Sequence, residues 1–273
     1  MASIQLGCRW KPVFETLAEH GVAVTGGRDS DVGAGGFILG GGNSFSSASP
    51  EWACDNVVTF EVVLADGRIL NANADDDAEL WIALKGGSGS FGVVTRLDMK
   101  TIEYANPKNH IYGGSLTYDP KPTKEVIAAF TRGYKNDVRV IQYAANTFDD
   151  IARRIEAAVP SEKLIFAAAS FQPLVQPMVS PSVVNGGNML GLESWIEVGN
   201  GVLPNATVTL LGAFARSENL SWDWRYLNYA DGDQDPIASY GQESVDKVRA
   251  AAEKYDTQAV FQKLRKYGFK IPT

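Results

Sequence analysis

Residues 26–42 read Gly-Gly-Arg-Asp-Ser-Asp-Val-Gly-Ala-Gly-Gly-Phe-Ile-Leu-Gly-Gly-Gly, and eight of these seventeen residues are glycine. Glycine has no Cβ, so such a stretch tolerates positive φ and lets a ligand approach the backbone closely. Successive N–H groups in a loop of this kind form concavities that bind anions such as a diphosphate. The alternative interpretation is an ordinary turn-rich loop between strands.

Two common nucleotide-binding motifs do not fit this stretch. The pattern Gly-x-Gly-x-x-Gly fails because Ile38 stands where the third glycine would follow Gly33 and Gly35. The pattern Gly-x-x-x-x-Gly-Lys-Ser/Thr does not occur there either. The Rossmann and P-loop interpretations are therefore both excluded for this segment.

Composition restricts the partners and cofactors. The 273-residue chain has 25 lysine and arginine residues against 32 aspartate and glutamate residues, a net charge of −7. Because binding to nucleic acid needs clustered basic residues, we expect no nucleic-acid partner. The apolar stretches are too short to span a bilayer, so we expect no membrane partner. Two cysteines and two well-separated histidines predict no metal site.

Around the glycine-rich stretch, short strands and helices alternate in a pattern that predicts an α+β fold. Alternating or β-branched residues predict strands at 3–7, 22–25, 56–64, 68–74, 91–99, 111–118, 164–171 and 222–229. Helical periodicity and capping residues predict helices at 12–21, 78–85, 123–133, 148–159 and 243–255. In the strand predicted at 222–229, Tyr226 and Asn228 would face one side and Tyr229 the other.

Two blocks of motifs carry a family resemblance. The first block contains Trp52-Ala53-Cys54-Asp55-Asn56-Val57-Val58, Asp66-Gly67-Arg68, Lys85-Gly86-Gly87 and Phe91-Gly92-Val93-Val94-Thr95. The second contains Tyr226-Leu227-Asn228-Tyr229-Ala230-Asp231, Asp235-Pro236 and Tyr255-Asp256. This succession resembles FAD-linked oxidases of the vanillyl-alcohol oxidase or p-cresol methylhydroxylase type. More narrowly, it resembles the fungal berberine-bridge-enzyme-like branch.

The resemblance implies a FAD site at the junction of two subdomains. It assigns the cofactor contacts, many of them through the backbone, to Gly26, Gly27, Asp31, Val32, Gly33, Gly36, Gly41, Gly42, Asn56, Val57, Val94 and Asn228. Because Tyr226 would share a strand face with Asn228, it is the candidate general base for oxidation. The alternative for Tyr226 is an aromatic core residue. Cys54 is expected to be a buried structural residue.

The resemblance also predicts a domain organisation. Residues 1–104 would form only the second subdomain of a p-cresol-methylhydroxylase-type FAD-binding domain, with the first subdomain missing before Met1. Residues 105–217 would form a shortened substrate domain of antiparallel sheet and helices, and residues 218–273 a berberine-bridge-like segment that returns to the FAD domain. Asp29 stands where some relatives have a flavin-linked cysteine. We therefore expect non-covalent FAD, or no FAD if the missing subdomain is essential.

The expected function is FAD-dependent oxidation of a small organic molecule, either a secondary metabolite or a sugar-like compound, by hydride transfer to the flavin and reoxidation by O2. Two alternatives stay open: a flavin-free homologue that catalyses a non-redox cyclisation or isomerisation, and a non-catalytic remnant. Sheet edges left uncovered by a missing subdomain would favour a homo-oligomer. No signal peptide is visible, which predicts a cytoplasmic chain as it stands, or a secreted one if its N-terminus is incomplete.

Overall fold

A computed structural model of the chain describes residues 1–47, 52–103, 124–128, 138–158, 186–192, 217 and 224–273. The chain divides into two compact units, which are treated separately below. The first unit contains the described residues 1–47, 52–103, 186–192 and 224–273, and the second contains 124–128, 138–158 and 217. The predicted domain boundaries after residues 104 and 217 adjoin residues outside the described ones and stay predictions.

The first unit is built on an antiparallel sheet. Its strands are β1 (Ala2–Gln5), β3 (Val57–Val63), β4 (Ile69–Ala72) and β5 (Val93–Met99), in the order β1-β5-β3-β4. Strands β2 (Val22–Ala23) and β6 (Ile102–Glu103) form a separate antiparallel pair. In the larger sheet Phe60 lies opposite both Leu97 and Ala72, and all three are fully buried. One face of this sheet therefore forms the core.

Six helices are labelled in chain order: α1 (Trp10–Glu19), α2 (Ala34–Leu39), α3 (Ala78–Leu84), α4 (Val138–Ala158), α5 (Gln242–Tyr255) and α6 (Val260–Leu264). Short 3-10 helices lie at Ala53–Asn56, Leu227–Tyr229 and Ala238–Tyr240. Helix α4 belongs to the second unit, and residues 124–128 of that unit are also helical. Pro12 lies in the first turn of α1, where its missing N–H costs nothing, and Gly21 follows the helix with φ +71°.

Helices α3 and α5 are joined to the core and to each other by apolar packing and by polar contacts. The buried Trp81 of α3 donates its indole N–H to the carbonyl of Val57 at 3.1 Å, which fixes the helix against β3. The buried Tyr255 of α5 donates its hydroxyl to the Asp77 carboxylate at 3.0 Å, just before α3 begins. The C-terminal segment is therefore attached to the first hundred residues of the chain.

The predicted α+β class is confirmed, but one predicted strand is wrong. In the described part of 222–229, residues 224–226 have no regular structure and Leu227–Tyr229 form a 3-10 helix. The reason is a local turn, because the Tyr229 N–H donates to the carbonyl of Tyr226 at 3.0 Å instead of to a neighbouring strand. Strand alternation therefore does not determine which way Tyr226, Asn228 and Tyr229 point.

The glycine-rich stretch also contains a helix that the sequence pattern does not predict. Helix α2 begins where the Ala34 N–H donates to the carbonyl of Cys8 at 2.9 Å, and it buries Phe37 and Ile38. Tertiary packing thus outweighs the low helix propensity of glycine. The helix predicted at 148–159 is part of α4, and only residues 124–128 of the helix predicted at 123–133 are described. The strands predicted at 111–118 and 164–171 lie outside the described residues.

The Asp256 carboxylate determines where α6 begins. Its two oxygens accept the N–H groups of Val260 and Phe261, both at 2.8 Å, and the residue is 3% exposed. We expect Asp256→Ala to lower the free energy of unfolding by about 1–3 kcal/mol, because both N–H groups lose their acceptor. Denaturant unfolding measures this loss. Asp246→Ala removes an exposed carboxylate of α5 and should change stability by less than about 0.5 kcal/mol; equal losses in the two variants would contradict the prediction.

Candidate functional site

The turn that follows α2 consists of three glycines. Gly41 has φ +107° and Gly42 has φ +83°, a conformation that L side chains rarely adopt. A Cβ added at Gly42 would lie 2.6 Å from the Cβ of Ala53, so this position is also closed sterically. The Ala53 and Cys54 N–H groups donate to the carbonyls of Gly42 and Gly41, both at 2.9 Å. The turn is therefore held against the 3-10 helix that leads into β3.

Three N–H groups converge on the phenolic oxygen of Tyr226. The backbone N–H groups of Gly42 and Asn43 donate to it, each at 2.8 Å, and the side-chain amide of Asn228 donates to it at 3.0 Å. Tyr226 is 7% exposed, and its ring lies 5.0 Å from that of Trp52 and 6.0 Å from that of Trp224. The C-terminal segment thus fixes the backbone of the glycine turn with a buried hydroxyl.

Asn228 fixes the end of α2 directly. Its amide also donates to the carbonyl of Phe37 at 2.9 Å, one of the last carbonyls of that helix. A Cβ added at Gly40 would lie 1.9 Å from the Asn228 side-chain oxygen, so only glycine permits this approach. The structure therefore brings together four of the residues that the sequence singles out: Gly41, Gly42, Tyr226 and Asn228.

The environment of Tyr226 does not suit proton abstraction. Burial raises the pKa of its hydroxyl well above the usual range, and the N–H groups of Asn43 and Asn228 offset only part of that effect. Three N–H donors already approach its oxygen, so no lone pair is left to take a proton from a substrate. The contacts of Tyr226 are those of a residue that positions the glycine turn.

Tyr229, which the predicted strand points away from Asn228, is the more accessible phenol. It is 37% exposed, and its ring packs edge-on against that of Tyr226 with centroids 4.8 Å apart. The guanidinium of Arg28 donates a hydrogen bond to the Tyr229 hydroxyl. The pair joins the C-terminal segment to the first half of the glycine-rich stretch. The sequence analysis does not predict the contact between Arg28 and Tyr229. The signal that could have pointed to Tyr229 is its position three residues after Tyr226.

Gly26 and Gly27 make room for an aromatic side chain. A Cβ added at either residue would lie 2.5–2.6 Å from atoms of Trp10, which is fully buried. In the part of the chain that the structure describes, the indole N–H of Trp10 and the hydroxyl of the fully buried Thr25 have no hydrogen-bond partner. Buried polar groups without partners are uncommon in native proteins.

The next part of the stretch is an exposed loop followed by open glycines. The Asp31 N–H donates to the Asp29 carboxylate at 2.8 Å, and the side chain of Arg9 donates to the carbonyl of Asp31. Val32 is 39% exposed. A Cβ added at Gly33 or at Gly36 meets nothing within 4 Å. The surface at these two glycines is therefore accessible to a ligand.

The remaining predicted residues lie in or beside the sheet. The side-chain amide of Asn56 donates to the carbonyl of Trp52 at 3.2 Å, and Val57, which begins β3, is 1% exposed. Val94 lies in β5 opposite Val62 and is 8% exposed. The side chains of all three residues are therefore part of the packed interior, and only their backbones could face a ligand.

A buried polar pair near this strand was not predicted from the sequence as part of the site. The Asn188 amide donates to both carboxylate oxygens of the fully buried Asp55, at 3.0 and 3.2 Å. Cys54 is fully buried, and its thiol lies 3.9 Å from the same carboxylate. The pair fixes residues 186–192 next to the 3-10 helix that contacts the glycine turn.

The described residues contain no candidate for a metal centre or for a membrane-spanning helix. Within those residues, no group of three or more His, Cys, Asp and Glu side chains could hold a metal ion. No helix in the same part of the chain is long and apolar enough to cross a membrane.

Residues 1–73 match the model of a family described as "FAD binding domain". Over 98% of its length, the chain is 30% identical to the FAD-dependent monooxygenase drtC of Aspergillus calidoustus, of which the match covers 69%. Over 99% of its length, it is also 30% identical to the FAD-dependent monooxygenase sdcF of Emericella nidulans, of which the match covers 76%. These relatives share the greater part of their length with the chain.

Among solved structures, 6-hydroxy-D-nicotine oxidase from Arthrobacter nicotinovorans matches 99% of this chain and 78% of its own chain, with a TM-score of 0.64. The two sequences are 17% identical, so this likeness concerns the fold alone.

The match to the Aspergillus calidoustus protein contains internal gaps. It runs over 368 positions, although this chain contributes only 98% of its 273 residues. About 100 positions of the relative therefore have no counterpart within the aligned part of this chain. The two proteins differ by internal segments as well as by overall length.

The contacts of Tyr226 lead to a prediction about the glycine turn. We expect Tyr226→Phe to speed hydrogen exchange at the Gly42 and Asn43 amides and to lower stability by about 1–3 kcal/mol, because these N–H groups lose their acceptor. Amide exchange followed by mass spectrometry or NMR measures the first effect. Tyr240→Phe is the matched control, since the Tyr240 ring is buried in the same aromatic cluster but its hydroxyl accepts none of these N–H groups. Unchanged exchange in Tyr226→Phe would exclude the positioning role.

Proposed function

We propose that this chain oxidises a small organic substrate by hydride transfer to non-covalently bound FAD. The proposal starts from its family, because the chain belongs to the FAD-linked oxidase superfamily, in its berberine-bridge-enzyme-like branch. The chain is an FAD-linked oxidoreductase, and FAD is its cofactor. The substrate class that we propose is a secondary metabolite or a sugar-like alcohol, with O2 as the final electron acceptor.

The observation that carries the proposal is the glycine-rich stretch, which is closed by packing at one end and open to a ligand in its middle. Gly33 and Gly36 leave open space, whereas Thr25 and Trp10 present buried polar groups that have no partner among the described residues. The exposed backbone at Gly33 and Gly36 fits the polar ribityl and diphosphate portions of FAD. We therefore propose that residues 25–36 hold these portions and that the Gly40–Gly42 turn supports them from behind.

Asn228 offers one more group to the cofactor. Its amide donates to Phe37 and Tyr226, and its side-chain oxygen accepts no hydrogen bond within the described residues. We propose that this oxygen accepts a hydrogen bond from FAD. Asp29 supports non-covalent binding, because its carboxylate occupies the loop position where some family members have a flavin-linked cysteine, and it accepts the Asp31 N–H at 2.8 Å.

FAD, when bound, supplies the acceptor for the substrate hydride and passes the electrons on to O2. The chain must then remove the proton from the substrate hydroxyl. Tyr229 is the accessible phenol beside the glycine-rich stretch, and the Arg28 guanidinium that donates to its oxygen orients it. We propose that the Tyr229 hydroxyl relays this proton, accepting it while its own phenolic proton passes to solvent, and that Tyr226 keeps the neighbouring turn in place.

The open surface at Gly36 can be tested by filling it. We expect Gly36→Leu to weaken FAD binding at least about ten-fold, which corresponds to about 1.4 kcal/mol, because the side chain occupies the ligand's space. The free energy of unfolding should stay the same or rise by up to about 1 kcal/mol, since leucine is the better helix former. Titration of the purified chain with FAD, followed by flavin fluorescence, measures the affinity.

Gly232→Leu is the matched control for this variant. An added Cβ at Gly232 also meets nothing within 4 Å, but the residue lies in the turn after Ala230 and outside the glycine-rich stretch. A wild-type chain that does not bind FAD would contradict the proposed function. Equal FAD affinities in the two leucine variants would contradict the assignment of Gly36.

The role of Tyr229 gives a kinetic prediction. We expect Tyr229→Phe to lower kcat by about 10²–10⁴-fold, the usual contribution of a general base, while FAD affinity is unchanged. The assay is O2 consumption with an alcohol found by screening sugars and polyketide-like compounds. Tyr267→Phe, which changes a tyrosine that is 86% exposed, serves as the control. A Tyr229→Phe variant that keeps the wild-type kcat would exclude this role.

A further inference from the structure

The last seventeen residues of the chain carry positive charges that the proposed FAD site does not use. Residues 257–273 contain Lys263, Arg265, Lys266 and Lys270 and no carboxylate side chain, in a chain whose net charge is −7. The whole acidic surplus therefore lies elsewhere, and this segment is locally positive. Such local concentrations of one sign attract ligands of the opposite sign.

The Arg265 side chain contacts the loop of residues 86–90, which consists of glycine and serine. Its guanidinium lies 3.4 Å from the hydroxyl oxygens of Ser88 and Ser90, and it also donates to the carbonyl of Phe269. The two serine contacts are longer than the usual 2.7–3.2 Å, so they are loose. The guanidinium Nε is buried and has no partner within the described residues. Arg265 therefore keeps donor capacity that the protein does not use.

A second cation lies beside Arg265. The Lys270 ammonium group donates to the carbonyls of Phe261 and Arg265. Desolvation and the charge of Arg265 both lower the pKa of Lys270, and desolvation also lowers the pKa of Arg265. Among the described residues, no carboxylate forms an ion pair with either side chain. Two adjacent cations without a counter-charge leave an electrostatic cost that an anion would remove.

The backbone of the loop adds further donors. Ser88 has φ +63°, and its N–H donates to the carbonyl of Leu39 at 3.0 Å. The N–H groups of Gly89 and Ser90 donate to no backbone or side-chain acceptor in the part of the chain that the structure describes. Gly89 leaves room for a ligand, since an added Cβ there would approach only the Arg265 guanidinium, at 3.6 Å. Backbone N–H groups in such turns form anion sites.

We propose that Ser88, Gly89 and Arg265, with Lys270 nearby, form a binding site for a phosphate group. The guanidinium, the Ser88 hydroxyl and the Gly89 N–H are half-buried donors that can bond a tetrahedral oxyanion, whereas Ser90 is fully buried and supports the loop. Lys270 contributes charge without direct contact, because its ammonium group is already bonded to two carbonyls. The phosphate group is that of a ligand other than FAD, because the proposed function places the FAD diphosphate at residues 25–36, and the experiment separates these two sources.

The test uses the purified full chain and inorganic phosphate as the probe. Isothermal titration calorimetry at constant ionic strength should show saturable binding of phosphate but not of chloride. We expect Arg265→Gln to weaken phosphate binding at least ten-fold. Ser88→Gly removes one hydroxyl, keeps a residue that tolerates positive φ, and should weaken binding several-fold. This second variant keeps the proposal testable if Arg265→Gln fails to fold.

Arg249→Gln is the matched control. The Arg249 guanidinium also holds a C-terminal carbonyl, that of Pro272 at 3.0 Å, but it lies 3.7 Å from the Asp246 carboxylate, which balances its charge. This variant loosens the same tail and should bind phosphate like the wild-type chain. Equal losses in Arg249→Gln and Arg265→Gln, or wild-type affinity in both Arg265→Gln and Ser88→Gly, would overturn the proposal.

A second titration identifies the source of the phosphate. Phosphate binding should persist at saturating FAD. Its loss with FAD but not with riboflavin, which has no phosphate, would assign the site to the FAD diphosphate and overturn the proposal. A chain that binds FAD but never binds phosphate overturns this proposal and leaves the proposed oxidoreductase function intact.

Discussion

The phenolic oxygen of Tyr226 is the point on which the candidate site depends. Two backbone N–H groups of the glycine turn and the amide of Asn228 converge on it at 2.8–3.0 Å. Gly40 must be glycine so that Asn228 can approach, and Gly42 must be glycine because of its φ and of Ala53. The glycines thus serve two purposes: some leave a surface open for a ligand, and others let the C-terminal segment approach closely.

The sequence predicts the α+β class because its hairpin and its amphipathic helices have strong local signals. The patterns at Val57–Val63 and Gln242–Tyr255 are of this kind, and both elements are present. The sequence does not predict α2, since glycine disfavours helix and the helix depends on burial of Phe37 and Ile38. It wrongly predicts a strand near Tyr226, because alternating aromatic residues look the same in a strand and in a buried turn.

Sequence patterns indicate only some of the residues that form the candidate site. Glycine content and the family resemblance lead to the glycine turn and to Tyr226 and Asn228, which the structure brings together, but they do not reveal how buried a hydroxyl will be. Burial separates the two phenols, since Tyr226 is 7% exposed and Tyr229 is 37% exposed. This difference alters the access of a phenol to substrate, and it comes from the packing of Trp52 and Trp224 against Tyr226.

The groups that meet at Tyr226 are far apart in the sequence. The region that matches the FAD-binding family therefore cannot form this contact alone. Gly42 and Tyr226 are 184 positions apart, and residues 1–73, which match the family model, contain only the donors of this contact. Closing so long a loop costs conformational entropy that local contacts must offset. The Asp55–Asn188 pair and the Tyr255–Asp77 bond supply such contacts at two other points. The conformation of the glycine turn is therefore a property of the assembled unit, and an isolated segment of 73 residues does not contain the acceptor that holds it.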